Sequence, residues 1–215
     1  MDQVNQPLGA GSPATRNVID RAKNILTQPA KEWDAIALEQ PNTSQIITGY
    51  VLPLAGAAAL AAFIGYGFVG YSVFGIRVAG IEWGIYHALT VLITALLTVF
   101  ISAMVIDALA PSFGSEKNMS RSVQLVAYSN TPSWIGGLLA LYPPLSMIGA
   151  IAGLYGLYIM YIGLPKIKKT PQDKQVGYFV VSLITVIVIY IILGLILSAI
   201  LMPIFGISYG SRRLF

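Results

Sequence analysis

The sequence contains no cysteine, a single histidine and few charged residues, which make up 10% of the chain. Without cysteine there can be no disulfide, no thiolate metal site and no cysteine nucleophile. One histidine alone cannot build an ordinary zinc site. The HExxH, GxSxG and P-loop patterns of common enzymes are also missing. The sequence therefore predicts a protein that is not an enzyme, with no catalytic residues, no metal site and no cofactor.

Charge is scarce because hydrophobic residues dominate, at 56% of the chain. Soluble domains have about 25% charged residues, whereas residues 122–165 contain no Asp, Glu, Lys or Arg. About 20 apolar residues cross a bilayer as a helix, so the sequence predicts a polytopic membrane protein. The net charge of +4 is spread over loops without interleaved base-stacking aromatics. Anionic lipids rather than nucleic acid are therefore the expected partners.

The hydrophobic pattern predicts an all-α fold, a membrane helical bundle of five transmembrane helices with short N-terminal interfacial or cytoplasmic helices. We expect a cytoplasmic tail with amphipathic helices at 1–46, a five-span membrane domain at 47–205 and a short tail at 206–215. The predicted spans are about 47–71, 84–109, 122–142, 144–164 and 176–202. Spans three and four form a hairpin, since the sequence Tyr142-Pro143-Pro144 interrupts the uncharged stretch.

Two short helices are predicted before the first span, at about 18–26 and 29–40. Apolar residues recur on one face of each, and Trp33 lies on that face of the second. Both segments are too short and too charged to cross the membrane. Two interpretations stay open: the helices lie in the interface with Trp33 among the headgroups, or they pack on the cytoplasmic face of the protein itself.

The second predicted span carries polar residues along one helical face. They are His87, Thr90, Thr94, Thr98 and Ser102. One interpretation is a permeation path with His87 as a protonatable gate. The other, commoner in membrane bundles, is that the hydroxyls bond to carbonyls of the same helix or to a neighbouring helix.

Three further polar residues are candidates for intramembrane roles. Asp107 lies on another face near the cytoplasmic end, where we expect it to be hydrated or to cap a neighbouring turn. Tyr128 and Asn130 belong to an unusually polar start of the third span. Such a start is tolerable in lipid only if its groups face other helices, water or a partner.

The fourth predicted span contains the small-residue motif of Gly149 and Gly153. This spacing lets helix backbones approach closely in lipid. It more often serves packing within one chain than a dimer face, and a homo-oligomer is the alternative.

A basic segment follows the fourth span and predicts the orientation of the protein. It contains Lys166, Lys168, Lys169 and Lys174. With five spans, most basic loop residues fall on the N-terminal side, and Arg77, Arg212 and Arg213 fall on the other. Since positive charge stays cytoplasmic, we expect a cytoplasmic N-terminus and an external C-terminus. The four lysines and Trp33 are the predicted contacts for anionic lipids or partners. Each basic residue near an anionic leaflet gains about 1 kcal/mol of binding free energy.

Several stretches together resemble the Yip-type membrane proteins, which are the Ypt/Rab-interacting proteins and their prokaryotic relatives. They are Leu26-Thr-Gln-Pro29-Ala-Lys-Glu-Trp33, Tyr50-Val-Leu-Pro53, Ala127-Tyr128-Ser129 and Tyr158-Ile-Met-Tyr161-Ile-Gly163-Leu-Pro165. The resemblance implies five spans with a cytoplasmic N-terminus. In eukaryotic members it implies traffic between endoplasmic reticulum and Golgi and binding of lipid-modified GTPases.

The chain departs from the eukaryotic pattern because the Asp-Leu-x-Gly-Pro motif expected before the first span is absent. That favours a prokaryotic relative, which we expect in the bacterial inner membrane. If the source is eukaryotic, the expected location is the endoplasmic reticulum or Golgi. The first functional hypothesis is a non-enzymatic scaffold that binds lipids, a small GTPase or other membrane proteins. The alternative is a small transporter or channel that uses the polar stripe of the second span.

Overall fold

The structure is a computed structural model that describes residues 17–73 and 75–205. Over this part of the chain it contains nine α-helices and one short β-hairpin. The predicted all-α membrane bundle is therefore confirmed. The residues before 17 and after 205 lie outside the described part, and so do Arg212 and Arg213 of the orientation argument.

The two N-terminal helices form where the sequence predicts them. Helix α1 spans Val18–Thr27, and its first turn is capped by the side chain of Asn17. Helix α2 spans Pro29–Leu38 and begins with proline, whose missing N–H costs nothing at a first helical position. Both pack into the same hydrophobic core as the membrane helices. The structure thus favours the interpretation that they pack on the protein itself.

Four predicted spans appear as long helical segments. The first comprises α3 (Thr43–Ile46), a π-helical turn (Ile47–Val51), α4 (Leu52–Ile64) and a second π-helical turn (Gly65–Val69). The others are α5 (Ile81–Leu109), which runs into a 3-10 turn (Ala110–Phe113), then α8 (Ser146–Lys168) and α9 (Gln172–Ile204). Within the described residues, these four segments are long and apolar enough to cross a membrane.

The third predicted span is broken into shorter pieces. They are α6 (Met119–Ser129), α7 (Thr131–Gly137) and 3-10 turns at Leu138–Leu141 and Pro143–Leu145. The break falls at Asn130, just before a proline that suits the start of a new helix. All residues from 122 to 129 are buried, so α6 is enclosed by protein beyond its half-buried first turn. The five-span count requires α6 and α7 to cross together as one interrupted segment.

The predicted hairpin of α7 and α8 packs through glycines. A Cβ added to Gly149 would lie 2.3 Å from the carbonyl oxygen of Gly136. One added to Gly153 would lie 3.2 Å from Ser133 Oγ. The motif of Gly149 and Gly153 therefore serves close packing within the chain.

The bundle has two distinct ends. At one end, strands β1 (Tyr71–Val73) and β2 (Ile76–Val78) pair antiparallel, and Tyr66 contacts Ser146. At the other, which we call the polar end, α5 ends, α6 begins, α8 ends and α9 begins. The predicted basic loop is short there: two of its lysines lie in the last turn of α8 and one in the first turns of α9.

Candidate functional site at the polar end

Arg21 joins α1 to α2 in a buried charge cluster. Its Nη1 donates to Glu32 Oε1 at 2.7 Å, and its Nη2 donates to Glu39. The guanidinium also lies 5.3 Å from the ring centroid of Tyr128 in α6. Burial works against the charged form, but the hydrogen bond to Glu39 and the neighbouring carboxylates outweigh it, so the pKa of Arg21 is raised. This cluster fixes α1 and α2 against the bundle.

Trp33 is fully buried between α2 and α8. Its Nε1 donates to the carbonyl of Ile159 at 2.9 Å. A Cβ on Gly163 would lie 2.5 Å from the indole Cε2, so the glycine leaves space for the ring. The predicted lipid contact is corrected for this residue: Trp33 faces the protein interior and cannot reach headgroups.

A second buried cluster joins α5, α6 and α8. Lys168 Nζ lies 2.8 Å from Asp107 Oδ1 and 2.7 Å from Ser122 Oγ. Asp107 also accepts the backbone N–H of Asn118, the residue that caps α6, at 2.7 Å. Asp107 therefore caps a neighbouring turn as predicted, but it is 8% exposed rather than freely hydrated. Lys168 is fully buried, so its predicted lipid contact is also corrected.

Protein groups contact most of the polar start of the third span, although the buried hydroxyl of Ser129 has no hydrogen-bond partner among the described residues. Tyr128 packs edge-on against Tyr50 with ring centroids 4.7 Å apart. The side chain of Asn130 donates to the carbonyl of Val126 at 2.9 Å. The hydroxyls of Tyr50 and Thr131 are 2.6 Å apart. Tyr128 and Thr131 thus contact Tyr50 of the first span, which is one of the conditions stated for such a start, whereas Asn130 bonds back to its own helix.

The polar stripe of α5 lies mainly in helix contacts. The His87 ring stacks on Tyr66, with centroids 3.6 Å apart. Thr90 donates to the carbonyl of Tyr86 at 2.8 Å, Thr94 is half-buried, and Thr98 is buried. Thr90 makes the carbonyl bond of the packing interpretation, whereas His87 Nε2 is buried without a hydrogen-bond partner among the described residues.

Arg121 connects the start of α6 to the end of α2. Its Nη1 and Nη2 donate to the carbonyls of Ile36 and Ala37 at 3.2 and 3.1 Å. Nη1 also donates to Gln124 Oε1 at 3.0 Å. The guanidinium thus donates to carbonyls in the last turn of α2, where helical partners run out. The Ile36 carbonyl also accepts the backbone N–H of Glu39 at 3.1 Å. These three acceptors are neutral, so they hold the side chain without cancelling its charge.

A polar cavity of about 190 Å³ opens beside Arg121. Its lining includes Glu116, Arg121, Lys166 and Lys169. Lys166 pairs with Asp34 at 2.6 Å and Lys169 pairs with Glu116 at 2.8 Å. The hydrogen bond from Lys169 lowers the pKa of Glu116 below its usual range.

Two further lysines in the connecting segments of the polar end, Lys117 and Lys174, are exposed and lie outside the cavity lining. We name the whole set the basic rim. It consists of Lys117, Arg121, Lys166, Lys169 and Lys174.

Sequence reasoning missed several residues of this site. Arg21, Glu32, Arg121 and Ser122 were not among its candidates, although each makes a buried or half-buried polar contact between helices. One signal could have found Arg121: it is the last charged residue before the uncharged stretch 122–165. The other contacts depend on pairings between distant segments.

The architecture defines a polytopic helical membrane protein whose N-terminal helices are docked on the bundle. Residues 23–209 match the Yip1 domain family. The chain belongs to this family, which confirms the resemblance of its sequence to the Yip-type membrane proteins. It is 25% identical over 177 residues to "Inner membrane protein YohC" of Escherichia coli strain K12, covering 80% of this chain and 91% of that protein. The protein of that name from Escherichia coli O6:H1 gives the same values. No solved structure matches the chain.

Proposed function

We propose that this Yip1-domain protein is a non-enzymatic scaffold of the bacterial inner membrane that holds anionic lipids or partner proteins at its polar end. The similarity to an inner membrane protein supports the location. The basic rim carries the proposal, because it places five cations around one end of the bundle. Basic groups near an anionic leaflet gain about 1 kcal/mol each. We place the polar end and the N-terminus on the cytoplasmic side, because positive charge stays in the cytoplasm.

The buried clusters support a structural rather than a chemical role. Ser122 Oγ and Lys168 Nζ are 2.7 Å apart, a distance at which a lysine could activate a serine nucleophile. Both side chains are fully buried, and the Lys168 ammonium pairs with Asp107. A substrate could not reach the serine, and the lysine is held as a charge partner rather than as a free base.

The docked N-terminal helices support a scaffold in a second way. The Arg21 and Trp33 contacts fix α1 and α2 on the bundle, so the polar end presents a preformed surface. A preformed surface loses less conformational entropy when a partner binds. Neighbouring membrane proteins and a small GTPase are the protein partners that we propose for it.

Purification from native membranes in mild detergent, with identification of retained lipids and proteins, tests this proposal. The variant Lys169→Gln/Lys174→Gln should lose retained anionic lipid or protein, because two exposed charges of the basic rim are removed. The matched control Lys23→Gln/Arg77→Gln removes the same charge elsewhere and should retain them. Equal retention by both variants would contradict the proposal.

A further inference from the structure

The polar cavity beside Arg121 lies where three parts of the chain meet. Gln40 follows α2, Glu116 and Asn118 precede α6, and Lys166 and Lys169 belong to the end of α8. Its volume of about 190 Å³ far exceeds the roughly 10–15 Å³ that one water molecule needs. The cavity therefore has room for a small ligand group together with bridging water.

The charge of the cavity selects an anion. Among the lining groups that the structure describes, Arg121, Lys166 and Lys169 are cationic and Glu116 is acidic. Lys166 also pairs with Asp34, which lies outside the lining, so Arg121 contributes the positive charge that no ion pair among the described residues offsets. The three oxygens that accept hydrogen bonds from the Arg121 guanidinium are neutral, so they do not offset its positive charge. A guanidinium has five N–H donors, and the three hydrogen bonds described leave donor capacity for a ligand.

The combination of donors selects a phosphoryl group among anions. Arginine offers a planar set of donors that matches phosphate oxygens, and lysine adds a compact charge. The N-terminus of α6, capped by Asn118, also lies at the cavity, and helix N-termini favour anions. Basic pockets between membrane helices at the cytoplasmic side bind lipid head groups in the same way.

We propose that the cavity between α2, α6 and α8 is a phosphoryl-binding site, with Arg121 at its centre and Lys166 and Lys169 as its flanking cations. This inference rests on the proposed function and names the chemistry of one ligand at the basic rim. The phosphoryl group can belong to an anionic phospholipid or to a soluble phosphate. Glu116 opposes the ligand, since it lowers the positive charge of the cavity and pairs with Lys169.

The test compares single variants of the full-length protein in phosphatidylcholine nanodiscs doped with phosphatidic acid. Retained phosphatidic acid is measured by native mass spectrometry. Lys169→Gln should weaken retention roughly tenfold or more, as expected for one lost charge-assisted hydrogen bond. Lys117→Gln removes the same charge outside the cavity lining and should weaken retention at most about fivefold, the effect of one basic residue near an anionic leaflet. Glu116→Gln should strengthen retention.

A parallel titration with inorganic phosphate, read as a shift in thermal unfolding at constant ionic strength, distinguishes the two sources. A shift with phosphate and no retained phosphatidic acid supports the site with a soluble ligand. Retained phosphatidic acid without that shift supports a lipid head group. Absence of both overturns the proposed site.

Equal weakening by Lys117→Gln and Lys169→Gln, with no gain from Glu116→Gln, also overturns it. That result leaves the scaffold proposal intact, because a general attraction of the basic rim for the leaflet predicts it. If neither lysine variant changes the retention of phosphatidic acid or the phosphate-induced shift, the proposed site is overturned. Because Lys169 and Glu116 are exposed, these variants should fold.

Discussion

Lys168 and Asp107 form an ion pair across 61 positions of sequence, with Nζ and Oδ1 2.8 Å apart and the lysine fully buried. It connects the end of α8 to the end of α5. Ser122 and Asn118 supply further hydrogen bonds to the pair, which satisfies polar groups that would otherwise be costly to bury. The pair therefore fixes the polar end of the bundle.

Removing one member of this pair should strongly destabilise the protein. Lys168→Met leaves Asp107 buried without its cation, so the free energy of unfolding should fall by roughly 3–5 kcal/mol. Unfolding in mixed micelles with increasing SDS measures the change. The double variant Asp107→Asn/Lys168→Met should recover part of the loss. The control Lys169→Met, at an exposed position, should stay within about 0.5 kcal/mol; an equal loss in this control would argue against the assigned role.

Gly163 should not tolerate a larger side chain. In Gly163→Ala the new Cβ would lie 2.5 Å from Trp33 and 2.8 Å from Leu125, both fully buried. Overpacking of this kind costs roughly 1–3 kcal/mol, measurable as a lower unfolding temperature in detergent. The control Gly194→Ala has nothing within 4 Å of the new Cβ and should be neutral or slightly stabilising. A neutral result at Gly163 would mean that Trp33 does not fill this space.

Arg21 should control how firmly α1 is docked. Arg21→Gln leaves Glu32 and Glu39 without their shared cation, so α1 should open more often. Hydrogen–deuterium exchange over residues 18–27 should become faster, while exchange in α5 stays unchanged. Lys23→Gln, at an exposed position of the same helix, is the control. Unchanged exchange in the Arg21 variant would show that other contacts dock the helix.

The sequence predicts the long elements of this fold well, because each is fixed by local composition. The apolar runs that became α5, α8 and α9 are long enough to identify a membrane helix without knowing their neighbours. Pro29 likewise marks the start of α2. The interruption at Asn130 was harder to predict, since a proline in a membrane helix can produce either a kink or a new helix.

The candidate site was less predictable because its contacts join distant segments. A tryptophan on an amphipathic helix suits a lipid interface and a protein interior equally well, so the pattern around Trp33 could not decide between them. Among the clustered lysines, Lys168 is buried and Lys169 is 77% exposed at its side chain. Their separation follows from the last turn of α8 and the left-handed conformation of Lys169, which composition does not reveal.

The orientation of the polar end is the central claim, and the absence of cysteine allows a direct test by labelling single cysteine variants with a membrane-impermeant maleimide. Lys169→Cys reports the polar end, and Ser72→Cys reports the exposed hairpin at the other end. The account predicts that Ser72→Cys is labelled in intact cells, whereas Lys169→Cys is labelled only in inverted membrane vesicles. Labelling of Lys169→Cys in intact cells would contradict it, because the basic rim would then face away from the cytoplasm.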